Sequence, residues 1–366
     1  MAEHLVLSAP LFVAAFWSLW LGLDFMARPE RITLRLFFFM LTTVGLYLCH
    51  FIYFSLEGHA PWPVDMFYRY CNLAVFPLWF FYLRELTLHR LSCRELLLWL
   101  APAVLLAPAS LIWNGAMVIA RIIFAVQVTL VLTLGWRMLR SYEADVASSY
   151  ADTEAYSLRA LRGLLIFLFL TTLVSFTANL LGRERFLSSL PLLTVPSILF
   201  SIFIFMLGYE STRLLPKVTA VQDEVDKIDT CLRADRDDEE HAADLLTDNE
   251  NDKANHLAQL QRDILKAMDE DKLYLQPNLK ISDLARHLGS NRNYIWRAVN
   301  VGLGVSFSEL VNRRRIDHFI YLAKQNELHD VDNTWQKCGF TSASAFYRNF
   351  KLYMGCSPAE YFARAT

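Results

Sequence analysis

Five side chains able to contact bases or phosphates recur at helical spacing late in the chain: Arg292, Asn293, Trp296, Arg297 and Asn300. Asn291 can cap a helix opening at Arg292, with Ile295, Ala298 and Val299 on its inner face. The five would then face outward. A guanidinium can donate two hydrogen bonds to the O6/N7 edge of guanine, and a carboxamide can pair with the N6/N7 edge of adenine. The chemistry on offer is therefore hydrogen bonding to base edges. Arg313, Arg314 and Arg315 lie further on, on a helix, where they could meet phosphate or form a solvated face. Arg348 and Lys351 would be exposed on a third helix whose buried face carries Phe346 and Phe350.

Catalytic chemistry is not expected. The chain has no HExxH, GxSxG or Walker-type glycine loop, and His287, His318 and His329 stand singly. The six cysteines, Cys49, Cys71, Cys93, Cys231, Cys338 and Cys356, form no CxxC or Cys/His group. No metal site, disulfide framework or cofactor is read from them.

The elements that must position the basic residues can be traced by periodicity. Leu257, Leu260, Ile264, Leu265 and Met268 mark an amphipathic helix that Gln276-Pro277-Asn278 breaks. Ser282 is the expected N-cap of a helix over Asp283–His287, and Gly289 its C-cap. With the helix from Arg292 this makes a helix-turn-helix unit, whose second helix fits a major groove. Ser306 to Glu309 reads as a capping box opening a long helix through Leu322. A second unit follows. Its first helix is Val331–Lys337, its turn Cys338-Gly339-Phe340, its second helix Ser342–Tyr353, and Gly355 to Pro358 ends it.

In this order the pieces resemble the DNA-binding domain of the AraC/XylS family of transcription regulators, over about residues 274–364. The resemblance is carried by Leu284-Ala285 with Leu288-Gly289, Asn293-Tyr294-Ile295, Gly304, Phe307, and Asn312-Arg313 ahead of Arg315-Ile316. It continues through Gly339-Phe340, Phe346, Phe350-Lys351, Gly355 and Ser357-Pro358. Tyr274 to Leu279 is similar to the lead-in of membrane-tethered members. The resemblance implies a bipartite domain whose recognition helices are Arg292–Val301 and Ser342–Tyr353, reading successive major grooves of double-stranded DNA. It extends the DNA-binding set to Ser342, Ser344, Arg348 and Lys351, and it implies a bacterial host. Thr334-Trp335 stands where the family has a branched apolar residue and then alanine, so Trp335 is expected to force repacking. Asn349 stands where an apolar or small residue is usual, and Gly302 should weaken the end of the first recognition helix.

The rest of the chain is of another kind. Of 366 residues, 54% are hydrophobic and only 20% charged, which excludes disorder and a fibrous repeat and points to lipid. Residues 1–216 hold 15 Arg and no Lys against 13 acids; residues 217–256 hold 5 basic against 13 acidic residues. Residues 257–366 hold the remaining 15 basic and 11 acidic residues, within a net charge of −2 for the whole chain. A membrane-crossing helix needs about 20 apolar residues. Seven stretches qualify: Leu5–Met26, Ile32–Phe54, Met66–Leu88, Leu96–Trp113, Ala116–Leu139, Leu161–Leu181 and Phe186–Tyr209. Arg28, Arg31, Arg35, Arg84, Arg90, Arg94, Arg137, Arg140, Arg159, Arg162, Arg213 and Lys217 flank one side of these; Arg183 and Arg185 flank the other. The excess of basic residues marks the cytoplasmic side.

The expectation is an all-α chain: a seven-span bundle over 1–216, an acidic flexible linker or loose helix over 217–256, and a DNA-binding domain over 257–366. It would sit in the bacterial cytoplasmic membrane, N-terminus outside and C-terminal domain in the cytoplasm, its partners being DNA, the lipid bilayer and an unknown signal ligand. Self-association would bring two tails to repeated sites, giving a homodimer. His50, Arg69 and Arg121 are costly in lipid and could form an outward-facing pocket for an anionic ligand, or could be satisfied by pairing, Asp65 with Arg69 for instance. The acidic middle is a solvated tether or a competitor of DNA for the tail. Two other classes stand beside the DNA-reading receptor: a membrane scaffold whose tail binds protein, and a transporter with a regulatory tail.

Overall fold

The computed structural model describes residues 2–56, 61–87, 92–154, 156–181, 190–243, 249–325 and 331–365. Arg90, Arg183, Arg185 and His329 lie outside them, as do the side chains of Cys231 and residues 235–252. Among the described residues the chain is all-α, without a strand, and Tyr150 and Lys280 form an isolated antiparallel bridge.

The fold divides into two compact units. The first comprises 1–142 and 158–216, the second 143–157 and 217–366. The first is built from α1 (Ala2–Ala27), α2 (Arg31–Ser55), α3 (Trp62–Leu86), α4 (Cys93–Ile112), α5 (Asn114–Ser149) as far as Tyr142, α6 (Arg159–Leu181) and the start of α7 (Leu190–Ala243). Its core is aromatic. The buried Trp79 ring lies 5.6 Å from Phe39 and 5.7 Å from Phe203, joining α2, α3 and α7. Outward, Phe12, Leu19, Leu97, Leu98, Leu105 and Ile122 are exposed. Five of the described helices are long and apolar enough to cross a membrane, with windows at Ser8–Ala27, Arg31–Tyr53, Cys93–Ser110, Val118–Ser149 and Thr194–Thr219. The two other expected stretches are the helices α3 and α6, α3 carrying Asp65, Arg69, Arg84 and Glu85. Helix α5 runs to Ser149, ten residues past the expected end at Leu139. Val146 and Ser149 are buried there, so packing extends the helix beyond its apolar run.

The second unit takes its N-terminal helical length from the acidic region. Helix α7 continues to Ala243, and α8 (Asn249–Asp269) follows, so helix covers much of the stretch expected as a tether. Then come a 3-10 turn (Leu273–Leu275), α9 (Ile281–His287), α10 (Arg292–Trp296), a π turn (Arg297–Gly302), α11 (Phe307–Lys324), α12 (Val331–Lys337), α13 (Ala343–Met354) and α14 (Pro358–Ala365). Two hydrophobic cores result. Ile264, Met268, Leu284, Ile295 and Val299 meet Phe307, Leu310 and Val311 of α11; Cys338, Phe340, Phe346 and Phe350 meet Ile316, Phe319 and Ile320 further along the same helix. One long helix thus forms a wall of both cores, and this sets the positions of the two helix-turn-helix units.

Candidate nucleic-acid interface

Local chemistry shapes the first unit. The N-cap of α9 is Lys280 and not Ser282; the Asp283 carboxylate accepts from the Lys280 N–H at 3.0 Å and so satisfies a donor at the helix start. Gly289 adopts φ +59, and the Ser290 N–H reaches back to the Ala285 carbonyl at 3.0 Å. The Asn291 side chain accepts from the Asn293 N–H at 3.1 Å, capping α10 as its type predicts. Helix α10 gives way after Trp296 to a π turn that ends with the Leu303 N–H on the Ala298 carbonyl at 2.9 Å. The expected continuous helix Arg292–Val301 is therefore split, with Gly302 closing the wider turn.

Outward placement differs along this element. Arg292, Arg297 and Asn300 are partly exposed. Asn293 is buried, at 1% exposure, and Trp296 is half-buried against the first core. Asn293 does not face solvent as expected and Trp296 does so only in part, because a helix this short, packed between α8 and α9, buries more than a single stripe. Tyr294 is the exposed aromatic instead, its ring 5.5 Å from that of His256. Asn300 donates to the Ser148 carbonyl at 3.3 Å and to the Trp296 carbonyl at 3.2 Å.

The arginine triplet separates into three environments. Arg313 is exposed. Arg314 pairs with Asp269 of α8 at 3.2 Å. Arg315 is buried: its Nε and Nη2 donate to the carbonyls of Tyr274 and Gln276 at 2.7 and 2.8 Å, and its Nη1 reaches Asn312 Oδ1 at 3.3 Å. Its guanidinium lies over the Phe340 ring at 5.5 Å. Burial pushes its pKa down to about 10, opposed by the Asp152 charge. Arg315 thus acts as a staple between the 3-10 turn and the second core, its guanidinium buried and engaged by protein acceptors.

In the second unit Ser342 is the N-cap of α13, accepting from the Ala345 N–H at 3.1 Å, and Gly355 ends the helix at φ +74. Ser344 and Lys351 are exposed and Arg348 partly so. Tyr347 is a further exposed aromatic between them, missed because its neighbour Phe346 dominated the pattern. Thr334 is buried and Trp335 packs against the second core, which accommodates the large ring at its edge. Asn349 donates to the Ala345 carbonyl at 2.9 Å, so its polar group is satisfied within its own helix.

Residues 143–157 also belong to this unit, which no reading of the sequence anticipated. Ala151 is buried; its N–H donates to the Leu279 carbonyl at 3.0 Å, and its own carbonyl accepts from Asn312 at 2.8 Å and Ser308 at 3.1 Å. Asp152 accepts from the Thr341 hydroxyl. Glu154 accepts from Ser342 at 3.0 Å and Ser344 at 2.8 Å and lies 3.4 Å from Arg348. These contacts join residues about 130 to 190 positions apart in sequence, beyond the reach of local pattern.

In the first unit, Arg69 donates to the Ser110 carbonyl at 3.0 Å and hydroxyl at 2.6 Å, tying α3 to α4. The His50 ring lies 5.0 Å from Tyr68 and 5.6 Å from Tyr47. Arg121 is exposed on α5.

Comparison with known proteins agrees with the tail's geometry. Residues 284–364 match a family described as a helix-turn-helix domain. The chain is 28% identical over 98 residues to the transcriptional regulatory protein HptR of Staphylococcus aureus, covering 27% of this chain and 38% of that protein. It is 28% identical over 93 residues to an uncharacterized HTH-type transcriptional regulator of the same species (strain MSSA476), covering 25% of this chain and 12% of that one. The chain therefore spans well under half the length of the curated relatives it matches. No solved structure matches it. The carboxy-terminal part of this chain carries a helix-turn-helix domain similar to those of transcriptional regulators.

Proposed function

We propose that the chain is a membrane-bound, DNA-binding transcription regulator that couples a signal received by seven spans to operator binding by its tail. The observation that carries this is the pair of capped helix-turn-helix units on one long helix, in the segment matched by the helix-turn-helix family. Arg292, Arg297 and Asn300 on the first unit and Ser342, Ser344, Arg348 and Lys351 on the second supply donors for base edges and phosphate. Arg313 adds a phosphate contact. The five long apolar helices and their exposed Leu, Phe and Ile side chains support the lipid setting. The arginine bias around the seven stretches supports an outer N-terminus and a cytoplasmic tail. A ligand acting near His50, Arg69 and Arg121 would have to favour one arrangement of the spans to shift the tail's DNA-binding population. Two chains together would raise the effective concentration of tails on repeated sites.

The test is binding of the full chain, held in lipid nanodiscs, to duplex DNA across a salt series. Affinity should fall linearly in log–log form as salt rises, with a slope of about −0.9 per phosphate neutralised. Absence of binding to any duplex at low ionic strength would leave the protein-binding scaffold as the better reading.

A further inference from the structure

We propose that residues 148–154 form a latch that occupies both recognition helices and competes with DNA for them, an inference that rests on the DNA-reading role above. Four positions assigned to DNA are engaged by this short stretch. Ser342 and Ser344 donate to the Glu154 carboxylate at 3.0 and 2.8 Å, Arg348 lies 3.4 Å from it, and Asn300 donates to the Ser148 carbonyl at 3.3 Å. Asp152 takes the Thr341 hydroxyl at the residue preceding the α13 cap. Two hydroxyls and a guanidinium converging at a helix N-terminus are the donors that would otherwise hold a phosphate. Glu154 is the chain's own anion in that position.

The stretch is anchored and not merely adjacent. Ala151 makes three hydrogen bonds, to Leu279, Ser308 and Asn312, and is buried within the first core. The Lys280 ammonium lies 5.5 Å over the Tyr150 ring. Anchor and carboxylates use different partners, so Asp152 and Glu154 can leave the reading face while Ala151 holds. In chain order the latch starts in the last two residues of α5, Ser148 and Ser149, and runs on toward α6, and connectivity alone links it to two apolar helices. DNA and the carboxylates cannot use Ser342, Ser344 and Arg348 at once, so each must weaken the other, with a coupling of about 5- to 150-fold typical of linked sites.

The experiment uses the full chain in lipid nanodiscs and a duplex recovered from a random-sequence pool by an Asp152→Asn/Glu154→Gln variant. The variant should bind that duplex about tenfold more tightly than the parent. Asp271→Asn, which removes an acidic charge elsewhere in the same unit, should change affinity by less than about twofold if occlusion and not general charge is responsible. In the parent, saturating duplex should speed amide exchange over residues 152–154. Equal affinity of variant and parent, weaker binding by the variant, a like gain in Asp271→Asn, or exchange unchanged by duplex would each overturn the latch while leaving DNA reading intact. Recovery of no duplex by either chain would instead remove the DNA-reading role, and the latch with it.

Discussion

Gly339 holds the turn between α12 and α13 at φ +85, and a Cβ placed there would lie 2.7 Å from the carbonyl oxygens of Tyr274 and Leu275. Strain and overlap act together, so Gly339→Ala should lower stability by about 3 kcal/mol in chemical denaturation. Beside it, burial pushes the Cys338 thiol up to about 12. A raised thiol pKa keeps the proton on across neutral and mildly alkaline pH. Cys338 should therefore stay unlabelled by a maleimide between about pH 7 and 9 in the folded chain, its reactivity scarcely rising with pH, and become labelled on unfolding. Mass spectrometry of the tryptic peptide reads this directly. The glycine was legible in the sequence because a tight turn before a capped helix demands a particular backbone. The buried role of Arg315 was not legible: three consecutive arginines on one helix resemble a charged face, and its partners, the carbonyls of Tyr274 and Gln276, are about forty residues away.

Helix ends were the most readable features at the level of elements. Asn291 and Ser306 each accept a backbone N–H as their types predict, and Gly289 and Gly355 turn left-handed, because capping is settled within four residues; Ser342, read as the first residue of its helix, is its cap instead. Ser282 failed as a cap because Asp283, one residue later, reaches the Lys280 N–H. The inner and outer faces of α10 were harder, since five residues enclosed by two other helices do not follow a single stripe; Asn293 turned inward and Trp296 became half-buried for that reason. Arg297 keeps partial exposure at the start of the π turn. Arg297→Ala should reduce discrimination between a selected and an unrelated duplex by about 1–3 kcal/mol if it reads a base. An equal loss on both duplexes would assign it to phosphate.

For the whole molecule, composition separated an apolar half from a basic tail, but it could not reveal that residues 143–157 fold with the tail. That stretch is short and mixed in character, and its meaning comes from partners distant in sequence. A reporter fused after Tyr209 should be active on the cytoplasmic side of the membrane; activity on the outer side would invert the proposed topology. Arg121→Ala should abolish the response to signal while leaving duplex affinity of the full chain unchanged, and a normal response would remove Arg121 from any sensing role.

If the tail reads DNA as proposed, the shared helix α11 has a consequence for its target. Its 18 residues, at about 1.5 Å each, give a rod of roughly 27 Å that packs into both cores, somewhat short of the ~34 Å repeat of a DNA turn. A gauge so stiff cannot stretch to meet its target. Inserting half a helical turn between the two sub-sites would carry one of them round to the far side of the duplex, and adding a full turn would restore the facing but not the reach.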